Sequence, residues 1–322
     1  MKLTIERLEE EYRSVFELLS ENPRVQKRDV ARVLGHTEKT THARMKEAFE
    51  KGYIVGPYIR KKSFGNFKQH MCFVKCEDPI ESFERYAEDL NVIYHEVIDG
   101  FADLRIISKR KFDIAGSVHE GFISDYHISY AQDYSWNKAL QIMHREVENF
   151  DPRDYQPKGI IKTHWDETVE WDEKDEILFQ ELKYDFRKPL GPILKKNHIW
   201  SGDAYDWLKK LPECCTIYTS FFPKTLSAYD PYIYMFETDY EDFIIDLFSL
   251  LPTSSWFFKI SDKLFLYMWV ERGSMRISDF RKPDISKLQI PILMRDLLKK
   301  RIIESKVHAG VQCYWRKGLD DP

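Results

Sequence analysis

No stretch of this 322-residue chain approaches the roughly 18 uninterrupted apolar residues that a membrane-crossing helix needs. The opening residues, MKLTIERLEEEYRS, are charged and amphipathic where a secretory signal would be apolar. Cysteine is scarce and odd in number, and Cys72, Cys76, Cys214, Cys215 and Cys313 show no disulfide-scaffold spacing. Together these absences lead us to expect a cytoplasmic protein with no membrane partner. Phosphate-cradling loops of the GxGxxG and Walker kinds are missing, and the ten histidines include no HExxH-type pair. We therefore expect no catalytic residue, no metal and no cofactor. Cys72 and Cys76, four apart on an expected strand, share a face but lie well separated along it, which suits buried inert thiols better than a metal clip. The vicinal Cys214-Cys215 follows a helix end, where packing is the expectation and thiol sensing the alternative.

What is present is enough to build real cores, since 43% of residues are hydrophobic and 15% aromatic. The length calls for two or more domains. The formal charge of −4 excludes a uniformly basic nucleic-acid binder but leaves room for a local basic face.

That face lies in RVQKRDVARVLGHTEKTTHARMKEAFEKGYIVGPYIRKK, residues 24–62. Ahead of it, Ile5, Leu8, Tyr12, Val15, Phe16 and Leu19 recur at helical spacing until Asn22-Pro23 ends the helix. Residues 26–34 predict a second helix, Gly35 a tight turn, and Thr37 the N-cap of a third helix over 38–51. A basic hairpin beginning after Gly52 would complete a helix-turn-helix with a wing. Residues 24–68 hold twelve Lys/Arg against four Asp/Glu, a footprint suited to phosphate contact. We expect double-stranded DNA to be met by Thr37, Lys39, Thr40, Ala43, Arg44 and Lys46 from the third helix, and by Arg60, Lys61 and Lys62 from the wing.

Further along, QHMCFVKC (69–76) reads as a strand, PIESFERYAEDL (79–90) as a helix, and VIYHEVI with ADLRIISK as a hairpin turning at Asp99-Gly100. A strand at 127–131 and a helix at 136–149 follow, giving an α+β sandwich. In this order, LLSENPRV (18–25), RMKEAFEKGYI (44–54) and GFADL (100–104) resemble the Lrp/AsnC, or feast/famine, family of transcription regulators. The resemblance covers residues 1–110 by motif and 111–150 by topology. It implies a winged helix-turn-helix followed by a ferredoxin-like βαββαβ effector domain, such domains pairing either within the chain as a pseudo-dimer or between chains as a homodimer or higher even oligomer. It also implies a small-molecule effector near His95, Gly100 and Asp103. One departure stands out: residues 111–125, KFDIAGSVHEGFISD, lack the helical periodicity that the family places between its third and fourth strands.

After a proline-bearing, acidic linker at 151–171, the order of elements repeats. The expected domains are a winged helix at 1–68, an effector-type domain at 69–150, a degenerate winged helix at 172–222 and a second effector-type domain at 223–322. The second reader looks degenerate because Pro189, Gly191 and Pro192 fall in its second helix, and its would-be recognition helix exposes Asp203 and Asp206. The leading expectation is a sequence-specific DNA-binding regulator. The alternatives are an enzyme on the same tandem scaffold, resembling siroheme decarboxylases, and a scaffold whose winged helices bind protein.

Overall fold

The structure is a computed structural model and describes residues 4–111, 114–272 and 286–317. Parts of the expected domains at 1–68, 69–150 and 223–322 lie outside the described residues. The first half runs α1 (Ile5–Glu21), α2 (Lys27–Leu34), α3 (Glu38–Glu50), β1 (Ile54–Lys61), β2 (His70–Val74), α4 (Pro79–Ala87), β3 (Val92–Gly100), β4 (Leu104–Ser108), β5 (Ser117–Phe122), β6 (His127–Ile128) and α5 (Trp136–Asn149). The second half runs α6 (Glu173–Leu182), α7 (Leu190–Asn197), α8 (Ser201–Cys214), β7 (Cys215–Phe221), β8 (Tyr229–Glu237), α9 (Glu241–Phe248), β9 (Trp256–Ile260), β10 (Lys263–Glu271), α10 (Ser286–Lys299) and β11 (Ser305–Arg316). This is the expected α+β class with a tandem order of elements.

The two halves interleave into two compact units, one formed by Met1–Asn66 with Asp166–Ser227 and the other by Phe67–Trp165 with Ala228–Pro322. In the first unit, Tyr12, Val15, Phe16 and Leu19 of α1 are completely buried. Phe16 stacks on Phe221 of β7 at 5.0 Å. Here the expected wing is corrected. The residues after Gly52 form a single strand, β1, whose ladder partner is β7 from the second winged helix, with Tyr58 opposite Tyr218 and Arg60 opposite Thr216. A strand edge seeks a partner for its exposed N–H and C=O groups, and each winged helix supplies that partner to the other. Two arginines repeat the exchange. Arg24 donates to the carbonyls of Phe186 and Lys188, while Arg187 donates to those of Pro23 and Val25 at 2.9 and 2.8 Å.

In the second unit, the described strands form one ladder in the order β5-β2-β4-β3-β11-β8-β10-β9-β6. Each half contributes the 4-1-3-2 order of a ferredoxin-like sheet, β5-β2-β4-β3 and then β11-β8-β10-β9. They join where Gly100 of β3 meets Ala309 of β11. A Cβ on Gly100 would lie 2.2 Å from the His308 carbonyl oxygen, so this seam demands glycine. The segment after β5 then crosses to the far edge. Ile123 bridges Ile260, Ser124 N–H donates to Lys259 C=O at 3.0 Å, and Ser129 N–H donates to Ser255 C=O at 2.9 Å. One segment, 117–129, thus pairs with both ends of the ladder and closes the sheet on itself.

Two readings of this unit change. Where the family places a helix, the described residues 114–125 supply strand β5, and the expected strand 127–131 shrinks to His127–Ile128. The sequence Ser-Val-His-Glu-Gly-Phe lacks the apolar alternation that announces a strand, because its pairing is set by tertiary closure. Helix α5 does not cover its own half: His144 lies 3.7 Å from Asp296 of α10, and Lys300 donates to the Glu148 carbonyl. The expected linker is also tied down, with the buried Asp242 carboxylate accepting the N–H groups of Gly159 and Ile160 at 3.0 Å each.

Side chains meet across the interior of the closed sheet. Phe73 of β2 stacks on Phe265 of β10 at 5.1 Å, and His119 of β5 reaches the same ring at 5.5 Å. Beside them is a wholly buried ion pair, with Arg105 Nε 2.8 Å from Glu96 Oε1 and Nη2 donating to Oε2 at 3.0 Å. Tyr94 donates its hydroxyl to Glu96, and the guanidinium lies over the rings of Tyr94 and Tyr267 at 5.2 and 5.1 Å. Burial lifts the Glu96 carboxyl above its ordinary range, and Arg105 is the chief force pulling it back. A lone buried charge is far costlier than a matched pair. Arg105→Met alone should therefore cost about 3–5 kcal/mol. Adding Glu96→Leu should recover much of that loss in urea unfolding, and a double variant as unstable as the single one would contradict the account.

Candidate nucleic-acid interface

Local chemistry dictates how α3 is presented. Thr37 accepts the Thr40 N–H at 3.2 Å, so it serves as the N-cap, a contribution of about 1 kcal/mol. Gly35 takes the left-handed conformation, φ 65°, at the turn between α2 and α3. Thr41, Met45 and Ala48 are buried against α1 and α2. Helical geometry then turns Lys39, Thr40, His42, Ala43 and Lys46 outward, and all five are exposed. The neighbouring helix adds exposed Lys27, Arg28 and Arg32, which sequence reasoning missed as partners of α3 although the charge count already contained them.

Arg44 is drawn inward. Its Nε donates to Glu11 Oε2 at 2.7 Å and its Nη1 to Glu47 Oε2 at 2.8 Å, leaving the side chain 13% exposed. His36 Nε2 sits 2.9 Å from the other Glu11 oxygen. Arg44 therefore holds α3 against α1 instead of facing outward. The three basic residues expected on a wing lie on or just beyond the β1 ladder. Lys61 pairs with Glu176 and lies over Trp171 and Phe179 at 4.8 and 4.7 Å. Lys62 Nζ donates to the Pro212 and Glu213 carbonyls at 2.8 and 3.0 Å, at the negative end of α8. Arg60 sits opposite Thr216 within the ladder.

The second winged helix is regular where the sequence suggested damage. Helix α7 forms over Leu190–Asn197 because Pro189 stands at its N-cap and Pro192 in its first turn, where no intrahelical N–H is required. Its difference lies in charge. Along α8, Asp203 pairs with Lys174 at 2.6 Å and Asp206 with Lys209 at 2.9 Å, and Tyr205 is exposed. At the end of that helix Cys214 and Cys215 are both buried, their sulfurs 3.9 Å apart.

The three residues expected around an effector have structural duties. His95 lies under α4, its ring 4.4 Å from Phe83 and 5.1 Å from Trp315, with Nε2 at 2.8 Å from the Phe83 carbonyl. Gly100 forms the β3–β11 seam. Asp103 accepts from Lys75 Nζ at 3.0 Å and from Cys76 N–H at 2.9 Å. A cavity of about 420 Å³ opens beside that last contact, lined by Lys75, Cys76, Asp78, Arg85 and Gly116 among others, and none of His95, Gly100 and Asp103 lines it.

Residues 13–55 match the family model for a winged helix-turn-helix DNA-binding domain. No curated protein sequence matches the chain. Among solved structures, the fold is similar to the siroheme decarboxylase NirDL at 10% identity and a TM-score of 0.50, covering 95% of this chain and 92% of that one. NirDL in co-complex with an iron-uroporphyrin III analogue is similar at 11% identity, with the same coverage and a TM-score of 0.48. No helix of the described residues is long and apolar enough to cross a membrane.

Burial lowers the His95 pKa from 6.5 to about 4. The unfolded chain therefore takes up a proton that the folded chain refuses, so this ring's contribution to stability is full above about pH 6.5 and is lost as pH drops toward 4. His70, His119, His127 and His308 are shifted in the same direction by burial. His95→Gln keeps a donor for the Phe83 carbonyl without a titrating ring. Urea unfolding across this pH range should show a shallower acid limb in the variant, and an unchanged slope would contradict the assignment.

Proposed function

We propose that the chain is a sequence-reading DNA-binding regulator with one working recognition helix, α3, per polypeptide. The observation that carries this is the outward face of α3, where Lys39, Thr40, Ala43 and Lys46 stand exposed inside the segment matched as a winged helix-turn-helix DNA-binding domain. Base edges would be met by the side chains of α3, and phosphates by Lys39, Lys46 and the cations of α2. Arg44 supports this face from behind through Glu11 and Glu47. The acidic α8 would be repelled by phosphate, so a palindromic site would need a recognition helix from each of two chains.

A second reading is an enzyme on the same scaffold, favoured by the tandem fold that the chain shares with a siroheme decarboxylase. The likeness to that enzyme is one of fold at 10% identity, whereas residues 13–55 match a DNA-binding domain by sequence, which supports the DNA-binding reading over this one. The discriminating experiment is DNA binding to genomic fragments as a function of salt. Lys39→Ala with Lys46→Ala should weaken binding and reduce the salt slope by about one for each phosphate no longer neutralised. Arg44→Ala should instead lower the melting temperature. DNA affinity unchanged in the Lys39/Lys46 variant, or absent in the parent while added siroheme loses carbon dioxide, would overturn the proposal in favour of the enzyme.

A further inference from the structure

Three metal-ligating side chains converge on the outer face of the closed sheet, and neither the recognition helix nor the interior ion pair uses them. His70 and Cys72 stand two residues apart on β2 and so share a face, while Glu120 of β5 is the ladder partner of Cys72. Cys72 Sγ lies 3.3 Å from His70 Nδ1 and 3.7 Å from Glu120 Oε2. A ligand atom from each of the three falls within 4.8 Å of the other two. His70 and Cys72 are each 1% exposed. Glu120 is partly exposed; its Oε1 lies 3.1 Å from Lys111 Nζ, and its Oε2 also accepts from Ser117 Oγ at 3.4 Å.

We propose that His70 Nδ1, Cys72 Sγ and Glu120 Oε2 form a binding site for a divalent transition metal of the zinc class. The spacing carries the argument. Tetrahedral zinc with bonds of about 2.0–2.3 Å holds its ligand atoms about 3.3–3.8 Å apart, a range that contains the two distances from Cys72. The donor set points the same way: imidazole with thiolate suits zinc and its soft neighbours, whereas calcium and magnesium take oxygen. Three protein ligands leave the fourth position to solvent. On binding, the Cys72 thiol gives its proton to solvent and the thiolate sulfur donates an electron pair to the metal. Lys111, paired with the outer Glu120 oxygen, fixes that carboxylate so that the other oxygen faces the thiol.

The location gives the site a purpose. The ferredoxin-like pattern would lay a helix over this part of the sheet, between the third and fourth strands. Among the described residues the β4–β5 connection contains no helix. The metal would tie β5 to β2, and β5 begins the segment that closes the sheet. Binding would therefore stabilise closure without touching the reader.

The test is to strip the full-length protein with a chelator and titrate it with Co²⁺. One equivalent should produce a near-ultraviolet thiolate-to-cobalt charge-transfer band and the visible bands of tetrahedral cobalt. Zinc should then displace the cobalt and raise the melting temperature. Cys72→Ser should abolish the charge-transfer band, His70→Asn and Glu120→Gln should weaken binding at least tenfold, and Cys214→Ser with Cys215→Ser should leave the band intact. If Cys72→Ser does not fold, the His70 and Glu120 variants carry the test. Absence of a thiolate band, or a band lost with Cys214 and Cys215 but retained without Cys72, would overturn the proposal.

Discussion

Strand edges are the constraint on which this architecture depends. A ferredoxin-like sheet leaves two edges unpaired, and a winged helix whose β1 lacks a hairpin partner leaves another. Each edge is satisfied by the other half of the same chain: β1 by β7, β3 by β11, and β5 by the far side of the ladder through Ile123 and Ser124. Duplication within one polypeptide thus provides the pairing that separate subunits would otherwise supply to each other. It also concentrates the shared core in the sheet interior, where Phe73 meets Phe265 and Arg105 meets Tyr267.

The same pairing reshapes the expected DNA-reading surface. Once β1 is a ladder strand, Lys61 and Lys62 satisfy Glu176 and the carbonyls ending α8, and Arg24 clasps the opposite repeat. Positive charge is drained from the expected wing and stays on α2 and α3. The second repeat has diverged by charge while keeping its backbone: α7 and α8 form despite their prolines, but the first two turns of α8 carry Asp203 and Asp206 and no Lys or Arg, whereas Lys39 and Arg44 lie in the first two turns of α3.

Much of this was legible in the sequence because the signals are local. Helical periodicity located α1 to α3, Thr37 and Gly35 marked a cap and a turn, and Asp99-Gly100 marked the β3–β4 hairpin. The repeated order of elements exposed the tandem fold. What escaped was set by distant partners. Arg44 reads as an outward cation until Glu11, 33 residues earlier, is seen beside it. Strand β5 has no alternation of its own, so the sequence could not disclose that Glu120 would stand opposite Cys72. His95, chosen for a pocket, is instead enclosed by Phe83 and Trp315, an arrangement that requires α4 and β11 both to be in place.

The central claim is that each chain offers DNA one recognition helix. A footprint of the purified protein on genomic fragments, at moderate salt and with the protein-to-DNA stoichiometry measured, tests it most directly. The account predicts one protected major-groove segment per bound chain, with palindromic sites occupied by two chains. Two protected segments per chain, or no protection on any fragment, would contradict it.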